Sequence, residues 1–282
     1  MIGTPLKAEL AAQGHAVRTL GRSGGGDYRW DARPGSVPAE ALAWADGIVS
    51  LNGASLKRLP WTPAYRRLIL TSRVQATAAL ADAIATSPDP PSVWVSASAV
   101  GVYGDRGDAE LDETAPAGTG WLAEVVRAWE QATAPARSAT RVVLARTGLV
   151  LGDTGVLEIL AGTTRFGLGA RVGPGTQWWP WVALADEARA IAFALVTPQI
   201  AGPVNLVGPE PATAATITRT VARTLHRPHW FVLPSPLIKA VMGGGHELLL
   251  PSQRVRPAVL LDAGFEFEYA DVGTLIRTVY GR

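Results

Sequence analysis

A doubly wound α/β sheet with a smaller C-terminal lobe is the fold that this 282-residue sequence predicts, and three observations predict it. Short apolar runs alternate with helical stretches through about residue 146, the pattern of a parallel sheet covered on both faces. With 48% hydrophobic and 18% charged residues, the chain can bury a large core. After about residue 155, Gly-rich and Trp-rich loops replace the clean alternation, which marks a change of architecture.

The elements are expected in this order. Residues 3–13 read as a helix, with Thr4 as N-cap, Pro5 in the first turn and Gly14 where the helix stops. His15–Leu20 follows as a short strand and Tyr28–Trp30 as a brief second one. Asp46–Leu51 is the third, ending at Asn52-Gly53. A long helix covers 62–86, with Leu68, Leu80 and Ile84 on a helical period. Pro88, Pro90 and Pro91 end it and lead into a buried strand, Val93–Ser96. A helix over 119–134 and a strand over Arg141–Arg146 complete the first part. Beyond the loops at 165–181 come a strand in Gly202–Val207 and a helix over 213–226. Residues 1–155 are expected to form one domain and residues 156–282 a smaller lobe closing over the sheet's carboxyl edge, where open α/β sheets bind ligands.

Composition excludes several function classes. Twenty-six Lys+Arg against 24 Asp+Glu leave a formal charge of +2, too little for a dedicated nucleic-acid binder. Zero cysteines exclude disulfides, cysteine nucleophiles and thiolate metal sites. No run approaches 18 uninterrupted apolar residues, and no basic region followed by an apolar core opens the chain. The expectation is a cytoplasmic protein with a small-molecule substrate, no membrane or nucleic-acid partner, and a monomeric or homodimeric state.

The start of the chain carries the first functional signal. Met1-Ile2-Gly3 runs straight into a helix, followed by Gly14-His15, a strand and Leu20-Gly21-Arg22-Ser23. A dinucleotide-binding unit has this order, but with a strand before the helix and a glycine-rich loop joining them, so that the pyrophosphate sits on the helix N-terminus. Only the last of those glycines, Gly3, is present. Gly24-Gly25-Gly26 follows a strand without opening a helix and reads as a flexible turn. The first strand of such a fold lies between the strands expected at 16–20 and 47–51. Without it, those two would face each other across a gap of about 9.6 Å, two strand spacings. Met1 is therefore expected to be an internal methionine of the phosphate loop, with a short apolar strand and two further glycines encoded upstream.

Several motifs along the chain resemble one family of atypical extended short-chain dehydrogenases, of the nucleoside-diphosphate-sugar epimerase type. They are Ser72-Arg73, Ser96-Ala97-Ser98-Ala99-Val100-Gly101-Val102-Tyr103-Gly104, Trp129-Glu130, Arg146-Thr147-Gly148-Leu149-Val150-Leu151-Gly152, Phe166-Gly167-Leu168-Gly169 and Gly175-Thr176-Gln177-Trp178-Trp179-Pro180-Trp181. Arg254-Val255-Arg256-Pro257 and Gly264-Phe265-Glu266-Phe267 resemble its C-terminal domain of unknown function. The resemblance implies a Rossmann-like sheet, an NADP cofactor and an oxidoreductase or epimerase activity. Ser50-Leu51-Asn52-Gly53-Ala54 is an altered form of a family motif, in which Ala is preferred at the position of Asn52.

The charge pattern bears on the cofactor independently. NAD sites place an acid after the second strand for the ribose hydroxyls, whereas a 2′-phosphate prefers Arg. This chain has Gly21-Arg22 there and no acid, which points to NADP. Gly3, Gly53, Arg73 and the strand-end residues Leu51, Asn52 and Val150 are the remaining expected cofactor contacts, carried over from the resemblance.

Catalysis is less well marked. The acid/base pair of short-chain dehydrogenases is a Tyr with a Lys four residues later, which lowers its pKa. Tyr28, Tyr65, Tyr103 and Tyr269 are followed at that spacing by Ala32, Ile69, Gly107 and Gly273, and Tyr280 runs off the end. Counting back from Trp129-Glu130 puts Trp121 and Val125 at the expected places. Ser98 occupies the position of the catalytic Ser or Thr, with Ser96 as a structural neighbour and Tyr103 as a minor candidate. Two readings therefore stand: an NADP-dependent oxidoreductase or epimerase-like enzyme, and a non-catalytic dinucleotide-binding or sensing protein that lost the pair. The acidic stretch Asp105–Glu113 reads as a solvated loop, and the four histidines lack a metal-ligand pattern. Trp178, Trp179 and Trp181 either wall a ligand pocket or seal the interface between lobes.

Overall fold

The computed structural model describes residues 2–21, 26–33 and 35–281. Its centre is a four-stranded parallel sheet of β3 (Gly47–Ser50), β4 (Val93–Ala99), β6 (Arg141–Thr147) and β11 (Gly202–Leu206), in the order β11-β6-β4-β3. The register runs Gly47 to Val93, Val93 to Arg141 and Val143 to Gly202. The apolar composition of these strands has its reason in two-sided burial. Val93, Val95, Val143, Ala145, Val204 and Leu206 face one core, built on α1 (Gly3–Ala12) and α6 (Leu184–Val196). Trp94, Val142 and Leu144 face the other, under α2 (Ala39–Trp44) and α3 (Pro63–Thr86).

The proline and threonine signals around α3 act as expected. Thr62 caps it by accepting from Tyr65 N, and Pro63 opens its first turn. By length and composition α3 is apolar enough to cross a membrane, yet its Ala76, Leu80 and Ile84 are buried against Trp94. The start of α1 differs from expectation. Ile2, not Thr4, holds the N-cap position, and no side chain caps the helix.

The expected first strand is the feature that the described residues do not form. β1 (Leu20–Gly21) and β2 (Tyr28–Arg29) make a separate parallel pair. Between β1 and the free edge of β3 lies a cavity of 1290 Å³, lined by Leu6, Leu10, Val17, Leu20, Val49 and Leu51 among others. The strand expected over His15–Leu20 shrinks to Leu20–Gly21. The reason is the same cavity: residues 15–19 have no neighbouring strand on the β3 side to extend a ladder. Met1, Arg22, Ser23, Gly24 and Gly25 lie outside the described residues, so the phosphate loop's start and most of the glycine run are not described.

The second lobe starts where β7 (Leu149–Leu151) pairs with β10 (Trp181–Ala183). It contains α5 (Val156–Arg165), β8 (Gly169–Val172), β9 (Trp178–Trp179), β12 (Ala212–Thr213), α7 (Ala214–Thr224), β13 (His229–Leu233), α8 (Ser235–Met242) and α10 (Val272–Tyr280). Leu157, Val172, Trp179, Trp181, Ile217 and Ile276 build its core. The lobes interleave, whereas the sequence suggests a single crossing at about 155. Residues 184–206 return to the first lobe, where α6 packs on α1 and β11 closes the sheet's far edge. Strand Gly202–Leu206 therefore belongs to the central sheet. Late in the chain, α9 (Ala258–Asp262) packs beside β11 as well.

The acidic stretch 105–113 is largely exposed, as expected of a solvated loop, and three of its carboxylates also accept hydrogen bonds from other segments. Asp105 accepts from Ser252 N (3.2 Å), Asp108 from Trp178 Nε1 (3.0 Å) and Glu113 from Asn205 N (2.9 Å). Within it, β5 (Glu110–Leu111) pairs with β14 (Arg254–Val255). The carboxylates tie the loop to the second lobe and to β11.

Candidate functional site

The cavity beside β3 gathers five of the expected contacts. Gly3 comes from the N-terminus of α1, Gly21 from the end of β1, and Leu51, Asn52 and Gly53 from the loop that leaves β3. A parallel sheet sends its loops out at the strands' carboxyl ends, which is why residues distant in sequence converge here. Thr4 lies in the first turn of an uncapped helix, where backbone N–H groups lack intrahelical acceptors. A Cβ built on Gly3 would meet nothing within 4 Å, so the glycine is not demanded by packing inside the chain. The buried Nδ2 of Asn52 has no hydrogen-bond partner. An unpartnered amide and an uncapped helix beside one cavity suit an anionic, hydrogen-bonding ligand.

Arg73 supports this loop from behind. Its Nη1 donates to Ala54 O (3.2 Å) and Ile69 O (3.1 Å), and its guanidinium lies 5.1 Å from the Trp129 ring centroid. Burial pushes its pKa down, and Tyr65 opposes the shift. A Cβ on Gly53 would come within 3.0 Å of its Cζ, so the loop's glycine lets backbone lie against the arginine. Ser72 Oγ accepts from Ala54 N (3.0 Å). Thus Ser72-Arg73 fixes residues 52–54, and Arg73 itself is not part of the cavity wall.

Ser98 also lies away from the cavity. On β4 it shares the face of Trp94, and it is 4% exposed. Its hydroxyl donates to Glu130 Oε1 at 2.6 Å, from α4 (Trp121–Gln131). Glu130 in turn holds Arg146 through Nε to Oε1 (2.8 Å) and Nη2 to Oε2 (3.0 Å). Arg146 Nη1 donates to the Tyr103 hydroxyl (3.0 Å), which donates to Asn205 Oδ1 (2.8 Å). Burial works against the charged guanidinium, but hydrogen bonds and charge from Glu130 outweigh it and hold Arg146 above the usual arginine range. Burial likewise raises Tyr103, against the pull of Arg146. With its hydroxyl engaged and its side chain fully buried, Tyr103 is a structural member of this network.

Val150 sits on β7 in register with Val182, its side chain buried and outside the cavity wall. The three tryptophans serve the second lobe: Trp179 Nε1 donates to Leu249 O (2.8 Å) and Trp181 Nε1 to Glu210 O (2.9 Å). Neither they nor Trp178 line the cavity. Arg22 lies outside the described residues.

Nothing in the sequence marks a role for the Glu130–Arg146 pair, although Trp129-Glu130 and Arg146-Thr147-Gly148 stand out as motifs. Glu187 carries no signal at all. That carboxyl is fully buried in the first turn of α6, accepts from Thr147 Oγ1 (2.7 Å) and leaves Oε2 without a partner. Burial pushes its pKa up to about 8. One of two adjacent acids in a helix start gives no sequence signal of burial, because acids are favoured there on the surface as well.

With the geometry described, comparison with known proteins decides the family. Residues 1–208 match the NAD dependent epimerase/dehydratase family, and residues 233–279 match a domain of unknown function (DUF1731). The chain belongs to the NAD dependent epimerase/dehydratase family. Epimerase family protein ML0860 of Mycobacterium leprae is 39% identical over 279 residues, covering 97% of this chain and 90% of that protein. Epimerase family protein SDR39U1 of Homo sapiens is 32% identical over 286 residues, covering 99% and 96%. The crystal structure of human SDR39U1 (isoform2) with NADPH superimposes with a TM-score of 0.88 at 31% identity, covering 99% of this chain and 96% of that one. UDP-glucose 4-epimerase of Thermus thermophilus, in complex with NAD, shares the fold at a TM-score of 0.75 and 19% identity, covering 99% and 94%. The Rossmann-like α/β architecture expected from the sequence is thereby established.

Proposed function

We propose that this member of the epimerase/dehydratase family binds NADP(H) along the cavity beside β3. We further propose that it acts as an oxidoreductase or epimerase-like enzyme on a small-molecule substrate of the sugar-nucleotide class. The observation that carries the reading is the convergence of Gly3, Gly21 and Leu51–Gly53 on one cavity, beside the unpartnered Asn52 amide. These residues fit a dinucleotide. The first turn of α1 would face the pyrophosphate, Asn52 Nδ2 would donate to the ligand, and Arg22 would meet a 2′-phosphate. Arg73 would act through the loop it holds, and Ser98 through Glu130. The cofactor, when bound, would supply hydride transfer.

The chain's own residues carry less of the chemistry. No Tyr-x-x-x-Lys pair exists in the sequence, Tyr103 is buried in a closed network, and the Ser98 hydroxyl is spent on Glu130. That absence favours the second reading, a dinucleotide-binding protein without turnover.

Titration with NADPH and NADH, read by nucleotide fluorescence, tests the binding. NADPH should bind more tightly, and Arg22→Ala should erase the difference. Equal affinity of the unmutated chain for both would remove the 2′-phosphate assignment. A single-turnover assay with a panel of nucleotide sugars and carbonyl compounds, read as NADPH absorbance, separates the two readings: oxidation supports the enzyme, and binding without oxidation supports the sensor.

A further inference from the structure

We infer that residues 242–253, within the domain of unknown function, are a strap that shuts the substrate end of the site and is fastened through Glu247. This closure rests on the reading of the sheet's carboxyl edge as the site. The strap touches each element that leaves that edge at β3 and β4. On the loop after β3, Trp61 N donates to Met242 O (3.1 Å), and Trp61 bridges to Gly243. On α4, Leu122 N donates to Glu247 Oε2 (3.0 Å). The N-cap of α4 is Gly120, which has no side chain to offer, so a carboxylate 125 residues away supplies the cap. On the turn after β4, Gln253 Nε2 donates to Val100 O (3.2 Å) and Gly104 O (2.9 Å), and Ser252 Oγ donates to Gly107 O (2.7 Å). A segment anchored on the connections that follow both strands crosses the strand ends, where open parallel sheets take their ligands.

The face beneath the strap is shut. Trp121 and Val125 lie one turn apart on α4 and so share a face. By count from Trp129-Glu130 they stand where the acid/base pair of short-chain dehydrogenases belongs. Val125 and Trp61 are buried, and Leu248 of the strap packs in the same apolar cluster. Trp121 meets Trp61 edge-on, with 5.6 Å between ring centroids. None of these residues lines the cavity beside β3, and neither does any residue of the strap. A substrate that reaches this face of α4 has to displace the strap.

The way the strap is held suits opening. Between α8 and β14 it forms a short 3-10 turn (Gly244–Leu248) and no strand or α-helix. Single hydrogen bonds fasten it, not a ladder or a long apolar face, and such segments open at the low end of a protein's stability range. Its glycines let backbone lie directly on the loop after β3: a Cβ on Gly245 would come within 2.6 Å of Leu59 Cδ2, and Gly243 has φ +55°. The bond at Glu247 differs from the others because its acceptor is a carboxylate at a helix N-terminus, where negative charge is favoured. Losing it frees the strap from α4 and leaves the cavity beside β3 untouched.

Thiol labelling of the whole chain tests the strap, since the sequence has no cysteine and one introduced thiol reports one place. The thiol of Val125→Cys should react slowly with a maleimide. Adding Glu247→Ala should speed that reaction about tenfold or more, through loss of a charge-assisted bond. Glu247→Gln keeps a carbonyl acceptor for Leu122 N and should leave the reaction slow. Ile217→Cys, in the core of the second lobe, should stay slow beside either variant, and NADPH titration should be unchanged by both. Should Glu247→Ala fail to fold, Gln253→Ala replaces it with the same expectation. Three results would overturn the strap: a Val125→Cys rate indifferent to Glu247→Ala, an equal acceleration at Ile217→Cys, or Glu247→Gln as fast as Glu247→Ala. Absent NADPH binding, with labelling still governed by Glu247, would fault the proposed cofactor site and support the strap.

Discussion

Two buried carboxyls behave in opposite ways at the residue scale. Glu130 is compensated on every side, by Ser98 and by the two-pronged contact of Arg146. Removing one donor from such a group costs about 1.5–3 kcal/mol. Ser98→Ala should therefore lower the melting temperature by several degrees, as scanning calorimetry would read, while NADPH affinity stays nearly intact. An unchanged melting temperature would show that the hydroxyl contributes nothing to Glu130. Glu187 has a single hydroxyl partner, and its pKa of about 8 stands well above the carboxylate's unfolded value. The folded state therefore holds a proton that the unfolded state releases above about pH 4.5. The stabilisation tied to that proton is complete below this pH and is lost progressively as pH rises towards 8. Melting temperatures of the unmutated chain should fall across this window, and Glu187→Gln should remove most of the fall, gaining over the unmutated chain at about pH 8 but little at about pH 5. Parallel pH profiles for the two proteins would contradict the assignment.

Among the elements, the passage from β6 to β7 decides how the lobes meet. Gly148 N donates to Leu206 O (3.0 Å) and Leu149 N to Pro180 O (2.6 Å), so three chain segments cross at one glycine. A Cβ there would collide with the Pro180 carbonyl oxygen, and with Val207 Cγ1 at 2.9 Å. Gly148→Ala should destabilise the fold by about 1–3 kcal/mol, the usual cost of overpacking, seen as a lower urea midpoint at constant slope. A midpoint equal to that of the unmutated chain would mean that the backbone moves aside freely. The sequence displays this glycine inside Arg146-Thr147-Gly148, but the reason for it lies in Pro180 and Val207, which no local pattern connects to it. Helix α3 is the opposite case. Its cap, its proline and its apolar period are all local, and the expected span 62–86 agrees with Pro63–Thr86 to within a residue.

For the whole molecule, the cavity between β1 and β3 is the dominant feature. Among the described residues it leaves β1 and β3, which belong to separate sheets, without a strand on the sides that face it, and each buried unpaired backbone group costs about 1–3 kcal/mol. The sequence by itself determined the fold class, most of the element order and the loop that leaves β3. Each of these depends on local signals: apolar period, proline and glycine punctuation, or the order of neighbouring elements. Only the tertiary structure decided which residues meet. It turned Ser98 away from the cavity, because alternation along β4 puts it on the side of α4. It set Arg73 behind its loop and gave Asp105, Asp108 and Glu113 hydrogen-bond donors from distant segments. It also returned residues 184–206 to the first lobe. Those outcomes rest on contacts between segments up to about 150 residues apart, such as Ser252 with Asp105, and one-dimensional periodicity carries no term for such pairs.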